Sequence, residues 1–147
     1  MGSMHLKPRD SDTRITLERI DELLAWLPRL AELTQAPIRE WELKRSPEGH
    51  LLVTPPLYTG EVYSFFHAAG QPWWCDYGYV PENAGRWVQD DAFIARASLD
   101  QVKTMLTFCV RGERFCDGLW AGVLGNGRIA AILNRLKILR DEMAKKD

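Results

Sequence analysis

A mainly α-helical fold with one small β-hairpin, a compact single-domain α+β helical bundle, is what this sequence predicts, and three observations lead there. Apolar residues recur at spacings of three and four in several separate segments, the period of an amphipathic helix. One pair of short β-prone runs brackets a turn sequence, Ser46-Pro47-Glu48-Gly49. The 147 residues are 46% hydrophobic and 27% charged, the composition of a folded domain and not of a disordered chain. At this length folding withdraws roughly 68 to 70% of the unfolded surface from water, so one core can form without metal or disulfide staples.

Residues 1–12 read as a cloning scar, Met1 to Ser3, followed by a polar, disordered N-terminus, and residues 13–144 as the single helical domain. From Thr13 onward Leu17, Ile20, Leu23, Leu24, Leu27, Leu30 and Ala31 form one stripe. Pro28 interrupts it, which predicts a kink or a second short helix starting at Leu27 or Pro28. Ile38 to Arg45 and His50 to Thr54 read as two strands, and a lone hairpin of this size must lean on the helices. Pro55 and Pro56 should then stop any strand, and Thr59 can cap a helix over 61–69 that ends at Gly70. The segment from Gln71 to Val88 crowds Trp73, Trp74, Tyr77, Tyr79 and Trp87 among Pro, Gly and Asp. It reads as an irregular aromatic loop, folded onto the core or serving as a recognition surface.

Asp90 to Ala97 fits a short helix, and Ser98 with Gln101 forms a capping box for a longer one that runs to about Arg114. Its buried face is Leu99, Val102, Met105, Leu106, Cys109 and Val110. Asp117-Gly118 breaks it, a short apolar turn covers Leu119 to Leu124, and Gly125-Asn126-Gly127 punctuates the chain. A last helix from Arg128 buries Ile129, Ile132, Leu133, Leu136 and Leu139 and frays at Lys145-Lys146. No internal repeat or low-complexity tract is visible.

The stretch VRGERFCDG followed by GNGRIAAILNRLK resembles a family of small uncharacterised bacterial proteins, a domain of unknown function with an RxERFxxG...GxIxxILxRL signature. The matching positions are Arg111, Glu113, Arg114, Phe115, Gly118, Gly127, Ile129, Ile132, Leu133, Arg135 and Leu136, with a similar aromatic-containing helix around Val62 to Phe66. The aromatic segment 71–88 has no counterpart in that pattern. The resemblance implies a compact, mostly helical domain and brings no activity with it.

Nineteen Lys and Arg against twenty Asp and Glu, a net charge of -1, remove the simplest case for a nucleic-acid or membrane-surface protein. No apolar run approaches the ~20 residues of a membrane span, so the expected location is the cytoplasm. Cys75, Cys109 and Cys116 form no CxxC pair and read as buried free thiols, with Cys116 beside Arg114 the alternative reactive one. His5, His50 and His67 stand apart from each other and from any ligand partner, so neither a metal nor a cofactor is expected. His67 reads as a partly buried histidine bonded to a carbonyl, and Asp90 and Asp91 as solvated residues at a helix start. No GxSxG elbow and no local Cys-His signature supplies a nucleophile, so no catalytic residue is predicted.

Two surfaces remain. Arg111, Glu113 and Arg114, with Asp117, precede Arg128 and Arg135 on the last helix. They read first as a semi-buried ion-pair lock to Glu113 or Asp117, and otherwise as a ligand-binding arginine cluster gripping phosphate or carboxylate, with Glu113 the one plausible base. Gly125-Asn126-Gly127 lacks the spacing of a phosphate-cradling loop and reads as paired helix caps. From Lys103 onward nine basic residues meet five acidic ones, making the last helix locally basic. Trp73, Trp74, Tyr77, Tyr79 and Trp87 are the candidate partner-binding anchors. The favoured function is therefore a non-catalytic accessory or regulatory protein that binds another macromolecule through the aromatic-rich loop and the basic C-terminal helix. The partner is expected to be protein, with nucleic acid less supported and no membrane, and the oligomeric state is left open. The alternative is a small enzyme or ligand sensor for an anionic group.

Overall fold

Most helices of this chain start where a side-chain oxygen can satisfy amides that have no carbonyl behind them. The computed structural model describes residues 13–146, so the reading of residues 1–12 lies outside the described residues. Helix α1 (Leu17–Leu24) opens on Thr16, whose hydroxyl accepts from the Arg19 amide. Pro28 sits at the start of a 3-10 turn, Leu27–Arg29, that separates α1 from α2 (Leu30–Gln35). Its missing N–H costs nothing in a first turn, which is why the stripe bends there and is not destroyed.

The predicted first strand is split in two. Strand β1 (Ile38–Glu40) pairs antiparallel with β4 (Leu57–Tyr58), with an irregular register between Ile38 and Glu40. Strand β2 (Leu43–Arg45) pairs instead with β3 (Leu51–Val53) around the expected turn, giving two separate two-stranded sheets. The expectation that Pro55-Pro56 ends all strand pairing is therefore corrected. A proline has no N–H to give a ladder, but Leu57 and Tyr58 beyond it do.

Helix α3 (Gly60–Ala69) is capped by Thr59 and closes at Gly70. The irregular loop expected over 71–88 is also corrected: it holds a 3-10 turn, Pro72–Trp74, and helix α4 (Pro81–Val88), which starts on a proline. Helix α5 (Asp91–Ala95) is capped by Asp90, and α6 (Leu99–Gly112) by the Ser98–Gln101 box with both hydrogen bonds made, at 3.2 and 2.9 Å. The apolar turn after Gly118 is a helix, α7 (Leu119–Gly125), and α8 (Arg128–Lys146) completes the chain.

α8 is the central rod. It packs against α1, α5, α6 and α7, burying Ile129, Ile132, Leu133 and Leu136 against Ile20, Leu23, Ile94, Val102, Met105, Leu106, Val123 and Leu124 in one continuous core. Leu139, expected inside, is only partly buried. Arg140 ties α8 to α1 through two bonds to the Asp21 carboxylate, at 2.9 and 3.2 Å. The guanidinium holds the Asp21 carboxyl below its ordinary range.

The aromatic segment is fastened to α6 by Thr107, a buried polar residue. Its hydroxyl accepts from the Asp76 amide at 2.8 Å and lies 2.8 Å from the Lys103 carbonyl and 3.3 Å from the Trp74 carbonyl, either of which it can donate to. The Asp76 carboxylate in turn accepts from Thr104, at 2.7 Å, and from the Gly78 amide. Thr107→Val keeps the shape and leaves that amide without a partner, so it should cost roughly 1–3 kcal/mol in urea unfolding. Thr104→Val, at a more accessible site, should cost less.

Candidate functional site

An open groove of about 720 Å³ is lined by Pro55, Pro56, Tyr58, Tyr63, Phe66, His67, Val110, Glu113, Arg114, Asp117 and Trp120. Each wall has a local cause. Thr59 starts α3 so that Tyr63 and Phe66, three apart, share a face, with His67 beside them on the exposed side. β4 delivers Tyr58 from below, and α7 delivers Trp120. The rings then pack on one another: Trp120 stacks on Phe66 with centroids 4.2 Å apart and planes 6° off parallel, and Tyr58 and Tyr63 meet it at 5.2 and 5.9 Å. The indole N–H of Trp120 donates to the Cys109 and Val110 carbonyls near the end of α6, at 3.0 and 3.2 Å.

Glu113 organises the floor. Its Oε1 accepts from the Tyr58 hydroxyl at 2.7 Å and from the Trp120 amide at 2.9 Å, while Oε2 accepts from the Gly118 amide at 2.9 Å. A carboxylate against two amides at the start of α7 is also favoured by the helix dipole. Gly118 adopts φ +88°, and a Cβ there would meet the indole of Trp41 at 2.9 Å. Burial, and then the bond to Glu113, push the Tyr58 hydroxyl far above the usual phenol range.

The five sequence-derived ligand candidates do not converge. Arg111 and Arg114 line a second hollow of about 190 Å³ with Ala69, Gly70, Cys75, Thr107 and Val110. It adjoins the groove, because Val110 and Arg114 belong to both. Arg111 donates to the Cys75 sulfur at 3.3 Å, with its guanidinium 5.8 Å from the Tyr79 ring. Arg128 lies elsewhere, on the Val88 carbonyl at 3.3 Å and the Asp91 carboxylate at 2.6 Å. Arg135 donates to the Ala97 carbonyl at 2.8 Å. The expected lock of these arginines onto Glu113 or Asp117 is not formed among the described residues: Glu113 accepts from Tyr58 and backbone amides, Arg128 serves the carbonyl of the last residue of α4, and Arg135 one two residues past α5.

The five aromatic candidates do not form one exposed surface: one is buried, three are half-buried and one is exposed. Trp74 is buried, Trp73 is half-covered by the Arg19 guanidinium at 4.0 Å, and Trp87 stacks on Phe93 at 4.7 Å. Tyr79 is half-buried, and Tyr77 alone is exposed. His67 is exposed, beside Gln71. Sequence reasoning missed Tyr58, Tyr63, Trp120 and Trp41. The signal available was the helical spacing of Val62, Phe65 and Phe66, all buried, whereas Tyr58 sits on a strand too short to show a period. Among the described residues no three His, Cys, Asp or Glu side chains come together as metal ligands, and no helix is long and apolar enough to cross a membrane.

A family of unknown function, DUF6508, matches residues 15–142, nearly the whole chain and every side chain that lines the groove. The chain belongs to that family. No curated protein and no solved structure matches it.

Two outcomes follow for the site. The native state holds the Tyr58 proton well above pH 10, where an unfolded tyrosine loses it, so from about pH 10 upward the native protein binds the extra proton and stability falls as pH rises. Tyr58→Phe should cost roughly 1.5–3 kcal/mol at neutral pH by losing a bond to a charged acceptor, and should flatten that alkaline decline in urea titrations. The thiols should also separate. Cys116 is exposed and Cys75 half-buried, which corrects the uniform burial expected, whereas burial pushes the Cys109 thiol up to about 12. Ellman's reagent should label Cys116 first, Cys75 more slowly and Cys109 only after unfolding.

Proposed function

We propose that this protein works without catalysis, by holding a short apolar segment of another protein in the aromatic groove. The observation that carries the reading is the composition of the groove itself: four aromatic rings form its walls, and the carboxylate at its floor already accepts three hydrogen bonds from the protein. Glu113 already serves as the acceptor for Tyr58 and for the start of α7, so using it as a general base would cost contacts that shape the groove. Aromatic side chains with a guanidinium at the rim are the groups that dominate protein interfaces. Arg114 supplies that guanidinium, and Phe115, 81% exposed on the adjoining turn, adds a further apolar anchor.

This assigns the binding surface to the groove instead of the 71–88 segment and the basic last helix. Protein is favoured over nucleic acid because the rim mixes Arg114 with Asp117 in a chain of net charge -1. A second reading, an anion sensor, has one observation in its favour: Arg111 and Arg114 face a common hollow, and neither has a carboxylate within ion-pair distance among the described residues.

A phage-displayed random peptide library panned on the purified protein should enrich sequences rich in aromatic or aliphatic residues. Tyr63→Ala, at an exposed position, should weaken the selected peptides by about tenfold or more while leaving the fold intact. Failure to enrich any peptide, or equal binding by the variant, overturns the groove reading. Thermal shifts with inorganic phosphate that vanish in Arg114→Ala would favour the anion sensor, a site at a hundred times its Kd adding about 2.7 kcal/mol of stability.

A further inference from the structure

The β2–β3 hairpin is incomplete as it stands. All six of its strand residues are exposed, including Leu43 at 67%, Leu51 at 58%, Leu52 at 50% and Val53 at 53%. A two-stranded ribbon with water on both faces is marginal by itself. The ladder register is Leu43 with Val53, Lys44 with Leu52 and Arg45 with Leu51. At either end, the Thr54 amide donates to the Glu42 carbonyl and the Ser46 amide to the His50 carbonyl. The even-numbered residues of β2 thus face β3, and the N–H and C=O groups of Leu43 and Arg45 point to the other edge. No strand covers that edge among the described residues. Nor does it carry the usual protection of a proline, since none occurs between Pro37 and Pro47.

The sequence along this edge is self-complementary. Glu42 and Lys44 flank Leu43 symmetrically. We propose that two copies of this chain associate by antiparallel pairing of their β2 strands about a two-fold axis at Leu43, forming a four-stranded sheet in the order β3, β2, β2, β3. In that register Leu43 lies opposite the partner's Leu43, and Glu42 lies opposite the partner's Lys44, twice by symmetry. The neighbouring registers are disfavoured: centring the axis on Lys44 or on Glu42 sets like charges face to face. Parallel pairing in register would do the same. The directly opposed positions share a face, so Val53, Leu43, the partner's Leu43 and the partner's Val53 make one apolar row across all four strands. Glu42 and Lys44 already lie 3.5 Å apart on the opposite face of their own strand, placed to exchange partners. A symmetric pair of this kind is isologous and closes at two copies.

Sedimentation equilibrium of the full 16.9 kDa chain over a concentration series should reveal a monomer–dimer equilibrium. Lys44→Glu and Glu42→Lys should each weaken it by about tenfold or more, because both cross-strand pairs become repulsive. The double variant Glu42→Lys, Lys44→Glu restores opposite charges across the axis and should recover the dimer. Leu43→Pro removes an outward N–H and the central side chain of the apolar row without breaking a β2–β3 bond, so it should leave the far-UV circular dichroism unchanged and abolish the dimer. A wild-type chain that is monomeric throughout, a dimer indifferent to Leu43→Pro, or a double variant no better than the single ones would each overturn the proposal.

Discussion

The Glu113 carboxylate is the joint on which the C-terminal half of this protein turns. One residue beyond the end of α6, it accepts hydrogen bonds from β4, through the Tyr58 hydroxyl, and from two backbone amides at the start of α7. A seven-residue helix has no stability of its own and begins with amides that need acceptors. Glu113 supplies both an acceptor and the charge that the helix start favours. The Trp120 indole, returning to the Cys109 and Val110 carbonyls, closes the circuit from α7 back to α6. Two of the groove's walls, Tyr58 and Trp120, are therefore tied to one side chain.

Elsewhere the charges speak to helix ends more than to each other. Arg128 projects from α8 onto the carbonyl of Val88, the last residue of α4, where a helix leaves acceptors without donors and carries its negative pole, and Arg135 onto the Ala97 carbonyl, two residues past α5. A guanidinium, with its fork of donors, suits that task better than an ammonium. The Asp91 carboxylate beside Arg128 and the Asp21 carboxylate on Arg140 add ion pairs at the margin, mostly exposed. Arg111 and Arg114 stand apart from this system.

What could be read in advance was whatever depends on neighbours in the chain. The Thr59 and Asp90 caps, the Ser98–Gln101 box, the bend at Pro28 and the buried face of α8 are all set within a few residues of themselves. What could not be read depends on direction in space. Pro81 resembles a loop residue until one sees it as the first residue of a helix, and Leu57-Tyr58 is too short to show a period. Glu113 carries the sequence signature of an ion-pair partner for arginine. Its actual partners are 55 residues upstream and on the backbone of the next helix, and no spacing rule reaches them. The aromatic segment was ambiguous for a related reason: dense Trp and Tyr among breakers fit a surface or a core equally, and Trp74 lies in the core with Trp87 packed against its edge.

The Trp41 indole rests against Gly118, the residue whose amide Glu113 holds. The root of the hairpin and the threshold of α7 are thus a single hinge pin, and a load applied to one is transmitted to the other. Gly118 is the narrow place in that linkage, since any side chain there must both dislodge the indole and abandon a left-handed backbone. A change at Gly118 would therefore be felt at the hairpin root and at the groove floor together.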